Sequence, residues 1–330
     1  MTTGVAMAAY NGSAYIEAQL ESLRAQSQPP DQVSIRDDGS KDGTPDLASQ
    51  FIKIHGLAPI PCPLPKKGVP TAVGGGCAAS WRVFQNPVQL GCYQNFYAAM
   101  DDLETDLIFL SDQDDLWLPD KIRKMAQVME QRPKIAVLCC AHDLIDDADR
   151  PLKTIRYERF KGTGAISPVG ASRLVRAYAF PGMCLALRRD FYLRVRDAAR
   201  AIDAPHDRAL CLLAEAENGM YLYDEILARH RMHDNNVGGE KNRARDYLRR
   251  GGRIKDLETM LGWLNALREA DAPFSDAARA AMGSYAAALA LRLGGLKRRT
   301  LLPGLRAKGK YPQDVPWRAL MADGAAMITR

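Results

Sequence analysis

Short apolar runs alternate with polar, glycine-bearing turns through the first half of the chain, and that alternation predicts strands feeding helices. Gly4-Val5-Ala6-Met7-Ala8-Ala9 reads as a first strand. It breaks at the turn Tyr10-Asn11-Gly12-Ser13, and a helix follows with apolar positions at Tyr15, Ile16, Leu20 and Leu23. Gln32 to Arg36 is a second strand, stopped by Asp37-Asp38-Gly39-Ser40-Lys41-Asp42-Gly43-Thr44, whose glycines and capping side chains open a helix through about His55. Strand, polar loop and helix in repetition predict an α/β fold with a mostly parallel, doubly wound sheet. The rhythm breaks from Gly56 to Ser80, where five prolines and Gly74-Gly75-Gly76 predict a loop insertion. It resumes with a strand at Trp81 to Phe84, a helix from near Cys92 to about Leu103, a strand at Leu107 to Ser111, a helix from Pro119 to about Gln131 and a strand at Ile135 to Ala141. Asp143 to Gly170 reads as polar loop. Phe180 to Leu187 returns to strand character, a helix begins near Asp190, and another is predicted over Arg208 to Asn218. Tyr221-Leu222-Tyr223 and Ile226-Leu227-Ala228 lead into Arg229-His230-Arg231-Met232-His233. From Lys241 onward the pattern is helical, so residues 1–240 read as one α/β domain and 241–330 as a helical extension.

The chemistry concentrates where Leu107-Ile108-Phe109-Leu110 runs into Ser111-Asp112-Gln113-Asp114-Asp115. Open α/β sheets bind ligands at the carboxyl ends of their strands. Three carboxylates at such a point call for a positive partner, and Mg²⁺ or Mn²⁺ prefers carboxylate oxygens completed by a substrate's phosphates. The alternative is a polar loop in which Asp115 caps the next helix, with Pro119 in its first turn.

Composition narrows the setting. Hydrophobic residues make up 47% and charged residues 25%, ordinary for a globular protein. The N-terminus does not read as a signal peptide, and no apolar run approaches the roughly 20 residues that span a bilayer. Seven cysteines without C-x-x-C spacing read as buried thiols in a reducing cytoplasm. The net charge of +6 is uneven, with 18 Lys and Arg against 8 Asp and Glu from Lys241 onward. That basic end is either a solvated surface or a surface drawn to the anionic cytoplasmic face of an inner membrane. No aromatics interleave with its basic clusters, so no nucleic-acid partner is expected.

Four segments together resemble the family-2 glycosyltransferases of GT-A fold, most of all bacterial rhamnosyltransferase-like members. They are Met7 to Gly12, Ser34 to Thr44, Ser111-Asp112-Gln113-Asp114-Asp115-Leu116-Trp117, and His230 to His233. The likeness extends over about residues 4–240. It implies an inverting transferase that moves a sugar from a dTDP- or UDP-linked donor to a glycan or lipid-linked glycan of the bacterial surface, O-antigen being one such product. Rhamnose is the sugar it suggests, and Mg²⁺ or Mn²⁺ the cofactor. Tyr10 would stack on the base and Asp38 accept from it, with Asp37 as the alternate. Asp112 and Asp114 would form the D-x-D unit, Asp114 on the metal and Asp112 on the ribose or the metal. Arg231 would neutralise phosphate, and His233 would ligate the metal or donate to the diphosphate. The His206-Asp207 pair matches the family's base position, making Asp207 the group that deprotonates the acceptor hydroxyl. One base suffices because the donor arrives activated, unlike the carboxylate pair of a glycosidase.

Structural alternatives stand beside these roles. Asp37 and Asp38 could cap the helix from Thr44, Asp207 the helix after it, and His233 could be a plain hydrogen-bonding residue. Asn95 is read as fixing a loop, Phe96 as core, and Trp117 as either acceptor wall or packing. The chain departs from the family at Arg36, at the long Pro/Gly segment and at Arg208-Ala209, where an aromatic often follows the H-D pair. Two rivals remain: a nucleotidyltransferase, which would want a Gly-rich phosphate loop that Ala9 to Ser13 does not offer, and a transferase-like binding or assembly subunit.

Overall fold

The structure is a computed structural model and describes residues 1–57, 80–152, 160–176, 180–233 and 250–328. The predicted loop insertion at 56–80 lies outside them except at its two ends.

Strands β1 (Thr3–Ala9), β2 (Gln32–Asp37), β3 (Ser80–Gln85) and β4 (Leu107–Asp112) run parallel in the order β3-β2-β1-β4. Helices α1 (Ile16–Arg24), α2 (Thr44–Ile54) and α3 (Cys92–Asp101) make the crossovers. Leu107 to Leu110 are all fully buried, the continuous apolar run that a strand covered on both faces requires. Beyond β4 the sheet continues through β8 (Leu185–Arg188), antiparallel to both neighbours, then β6 (Val137–Ile145) and β9 (Met220–Arg231), which are parallel. Two short strands, β5 (Leu116–Trp117) and β7 (Ile166–Pro168), pair antiparallel with β9.

Several elements differ from the sequence pattern, each for a tertiary reason. The fourth strand runs on to Asp112, because Ala8 of β1 pairs with it. The strand at 137 outlasts Ala141 to reach Ile145 because β9 lies alongside, with a register shift around Cys140 to His142. The two apolar runs after Met220 merge into that single strand. Phe180 to Leu187 yields strand only from Leu185, after a 3₁₀ turn at Gly182–Cys184. Asp115 does not cap a helix: β5 intervenes, and α4 (Lys121–Gln131) starts after Asp120.

The second half carries α5 (Ala171–Arg176), α6 (Arg189–Arg200) and α7 (His206–Ala216). Four further helices follow: α8 (Arg250–Glu269), α9 (Asp276–Lys297), α10 (Leu302–Lys310) and α11 (Trp317–Ile328). Helix α9 packs on α5, which packs on α7. Ser275 caps α9 by accepting from Ala278 N at 3.0 Å and donates to Glu215 Oε2 of α7 at 2.7 Å. Leu257, Leu264 and Leu267 of α8 belong to the same apolar core as the sheet. Among the described residues no helix is long and apolar enough to cross a membrane.

Candidate active site

Parallel pairing places Ala8 beside Asp112 on one side and Arg36 on the other, with Ala9 beside Asp37. The carboxyl ends of β1, β2 and β4 therefore form one rim, and the loops leaving them are tied together. Asn11, in the left-handed region at φ 49°, donates its backbone N–H to Ser40 Oγ and accepts from Lys41 N through Oδ1. Gly12 N donates to Thr44 Oγ1, and Ser13 N to Asp42 Oδ2. Gln113 clasps the Tyr10 peptide from the β4 side, accepting from its N–H and donating to its carbonyl, both at 2.9 Å. A Cβ on Gly12 would lie 2.1 Å from Gln113 Oε1, so the Gln113 amide occupies the space that the missing side chain leaves. The Tyr10 side chain is left about half exposed on the rim.

Asp37 and Asp38 are both buried and already engaged. Asp37 accepts from the N–H groups of Gly39 and Ser40 and from Ser40 Oγ, closing its own turn. Asp38 accepts from Asn86 Nδ2, Leu90 N and Gly91 N at 2.7–2.8 Å, which pins the loop before α3 to the end of β2. Neither caps α2, whose N-cap position is Gly43. Asn95 is buried and joins Arg36 O to Asn86, the loop-fixing role read from the sequence. Arg36 turns away from the rim into an ion pair with Asp102 at 2.6 Å.

The D-x-D segment meets the end of β9. Pairing of Leu116 with Arg229 and Trp117 with Ala228 carries His230, Arg231 and His233 up to the carboxylates. His230 Nδ1 and Arg231 N both reach Asp115 Oδ1 at 2.9 Å. Burial opposes charge on His230, but Asp115, then Asp114 and Asp112, outweigh it and lift the imidazole to about 9. His233 Nε2 meets Asp114 Oδ2 at 2.8 Å, and its ring stacks on Tyr15 with centroids 4.7 Å apart. Arg231 is buried, donating to Asp114 O and Asp146 O and pairing with Asp149. Trp117 is buried with Lys121 Nζ 3.5 Å from its ring centroid, so it packs rather than lining the rim.

The Asp112 carboxyl is pushed well above the usual carboxylate range, by burial first and then by Asp115 and Asp114, with Asp207 adding to the effect. The Cys92 thiol is raised to about 12 by burial and by Asp112, Asp207, Asp114 and Asp38. Asp207, on the first turn of α7, is close enough for its charge to act on both Asp112 and Cys92, although a long stretch of chain separates it from them. Its Oδ1 accepts from Arg208 N at 2.7 Å, and it lies inside the helix rather than at the cap, which is Pro205. Beneath it His206 is buried, stacked on Phe96 at 4.0 Å, and neither ring nitrogen has a hydrogen-bond partner.

Among the described residues no three His, Cys, Asp or Glu side chains converge closely enough to hold a metal by themselves. The donor set is nonetheless of the kind Mg²⁺ and Mn²⁺ accept, one or two carboxylates completed by phosphates. No donor among the described residues reaches the Asp112 carboxylate, and the buried Asp115 Oδ2 is likewise unpartnered. Such crowded negative charge fits a divalent cation. The sequence pattern assigns no role to Tyr15, Cys92, Gln113 or His230, although the last two lie in its motif segments. Tyr15 read as an apolar helix position, and the others acquire meaning only through neighbours distant in sequence.

Carboxylates at the strand ends, backed by the buried Arg231 and His233, make up the rim of the candidate site. The family model for glycosyl transferase family 2 matches residues 4–190, and the chain belongs to that family. The dTDP-rhamnosyl transferase RfbG of Shigella flexneri is 31% identical over 121 residues, 36% of this chain and 34% of that protein, so the match spans about a third of each. Among solved structures, S. aureus TarS 1–349 with UDP superposes with a TM-score of 0.58 at 15% identity, covering 99% of this chain and 88% of that one. The mannosyltransferase PcManGT of Pyrobaculum calidifontis, with GDP-Man and Mn²⁺, gives 0.55 at 16%, covering 99% and 86%. The fold is GT-A.

Proposed function

We propose that this glycosyltransferase is inverting and metal-dependent, moving a sugar from a nucleoside diphosphate to a hydroxyl of a bacterial surface glycan. The observation that carries the reading is the crowding of Asp112 by Asp114 and Asp115 at the carboxyl end of β4, within reach of the charge of Asp207 on α7. Asp112 and Asp114 would hold Mg²⁺ or Mn²⁺, which when bound neutralises the departing diphosphate as a Lewis acid. Tyr10, exposed on the rim, offers a ring for the base, and the loop held by Asp37 and Asp38 shapes the pocket wall. Arg231 and His233 hold Asp114 in place from behind, and Arg231 supplies positive charge near the phosphates. Asp207 takes the acceptor proton as the hydroxyl attacks the anomeric carbon, an attack from the face opposite the leaving group that inverts it. A dTDP-linked rhamnose donor is supported by the match to RfbG. A lipid-linked glycan at the cytoplasmic face of the inner membrane is the acceptor that suits such a donor.

Calorimetric titration of UDP and dTDP with and without Mn²⁺, followed by donor turnover, tests this. Wild type is expected to bind one nucleotide in a metal-dependent way. Asp207→Asn should retain that binding and lose roughly 10²- to 10⁴-fold in rate. Metal-dependent binding without turnover in wild type would instead favour a binding subunit. Absence of nucleotide binding by folded protein would reject the reading.

A further inference from the structure

The two last helices carry a feature that sugar transfer does not require. At 100° per residue, Trp317, Met321 and Ile328 of α11 fall within about 40° of one another. They are 62%, 74% and 87% exposed, while Ala319, Leu320, Asp323 and Ala326 bury the other side of the helix. On α10 the exposed apolar residues are Leu302 and Leu305, next to Leu301, with Pro303, Gly304 and Ala307 turned inward. The helices touch at glycines: a Cβ on Gly304 would lie 2.8 Å from Leu320 Cδ2, and one on Gly324 3.6 Å from Leu301 Cδ1. The exposed apolar side chains therefore belong to one pair of packed helices.

Charge specifies the partner. Residues 297–310 hold six Lys and Arg and no acidic residue. Lys308 Nζ lies 5.8 Å from the centre of the Trp317 ring, so the basic and apolar side chains share one surface. An apolar ridge with a basic margin is what a helix lying in the plane of an anionic bilayer presents: apolar groups enter the acyl boundary and cations meet headgroups. A second copy of the chain would bring two like-charged margins together, which opposes self-association. We propose that α10 and α11 form a docking surface for an anionic lipid bilayer, lying on the membrane rather than crossing it. This inference is independent of the donor and the reaction.

Flotation of the full chain with phosphatidylcholine vesicles, with and without phosphatidylglycerol, tests it. The protein is expected to float with the anionic vesicles, weakly with the neutral ones, and to be released by salt. Trp317→Ser with Met321→Ser should float several-fold less. Arg306→Ala with Lys308→Ala and Lys310→Ala should bind anionic vesicles roughly a hundredfold more weakly, at about fivefold per basic side chain. These side chains are largely on the surface, so an unchanged melting temperature would establish that both variants fold. Failure of wild type to float with either vesicle, or flotation of both variants like wild type, would overturn the proposal. So would a wild-type dimer that the Trp317/Met321 variant turns into monomer, which would make a second copy the occupant.

Discussion

Gln113 lies between two acidic residues of the most charged stretch in the chain, yet its amide is spent on a neighbouring backbone. It holds the Tyr10 peptide at both ends, and Gly12 leaves the space it fills. Gly12→Ala must displace that amide and break both bonds. Net hydrogen-bond contributions of about 0.5–1.5 kcal/mol each put the expected loss at about 1–3 kcal/mol of stability. In a Gln113→Ala background the same substitution should be nearly neutral. A double-mutant cycle by urea denaturation reads the coupling, and additive losses would refute it. The sequence pattern placed Tyr10, Gly12 and Gln113 in motifs, but their contact depends on β1 and β4 being neighbours. Asp37 and Asp38 show the same limit. The family resemblance implies that Asp38, or Asp37, contacts the base, and the fold adds that both carboxylates also hold the loops around them.

At the scale of elements, the rim is made of loops that cap one another. Asp42, just outside α2, accepts from Thr44 Oγ1, Thr44 N and Ser13 N, linking the second loop to the first. Burial works against its ionisation, but the bonds from Thr44 and Ser13 outweigh it and hold the carboxyl at about 2. The folded state therefore prefers ionised Asp42 more than the unfolded chain does. Its stabilising effect is full above the ordinary value of 3.8 and fades as pH falls from there to about 2. Asp42→Asn is expected to lower the melting temperature at pH 7, by an amount that shrinks toward zero near pH 2. A gap that stayed constant across that window would show that the bonds do not depend on charge. Elements with a strong period, such as α1, α2 and the first four strands, were legible in the sequence. The ends of β4, β6 and β9 were not, since a polar residue joins a strand when a neighbouring strand offers it hydrogen bonds.

Across the whole molecule, the helices after residue 250 are locked by a buried charge cluster. Asp323 of α11 accepts from Arg253 of α8 and Arg292 of α9, with both Nε contacts at 2.8 Å and all three side chains buried. Removing the Asp323 carboxylate takes from two buried guanidiniums the anion they share. Asp323→Ala is expected to cost about 3–5 kcal/mol, read as a lower unfolding midpoint. Replacing all three residues with apolar ones of similar size should recover most of that loss. A second link, from Arg176 of α5 to the buried Asp314, ties the turn before α11 to the region that carries the site. The basic composition of this part was visible in the sequence. That its cations divide into a buried cluster and an exposed margin was not.

The sequence by itself determined the alternation of strand and helix, the carboxylates at the strand ends and the family to which they point. These are local properties: period, propensity and spacing along the chain. Tertiary structure alone decided which carboxylates stay free. Asp37 and Asp38 turned inward to loops, Asp115 to His230 and Arg231, and Asp114 to His233, while Asp112 kept no donor among the described residues. The physical reason is that the partners of Asp38 come from the loop before α3 and those of Asp114 and Asp115 from the end of β9 and just beyond it, brought to the rim by sheet pairing. A carboxylate's role depends on the distance to those partners through space, which no spacing along the chain encodes.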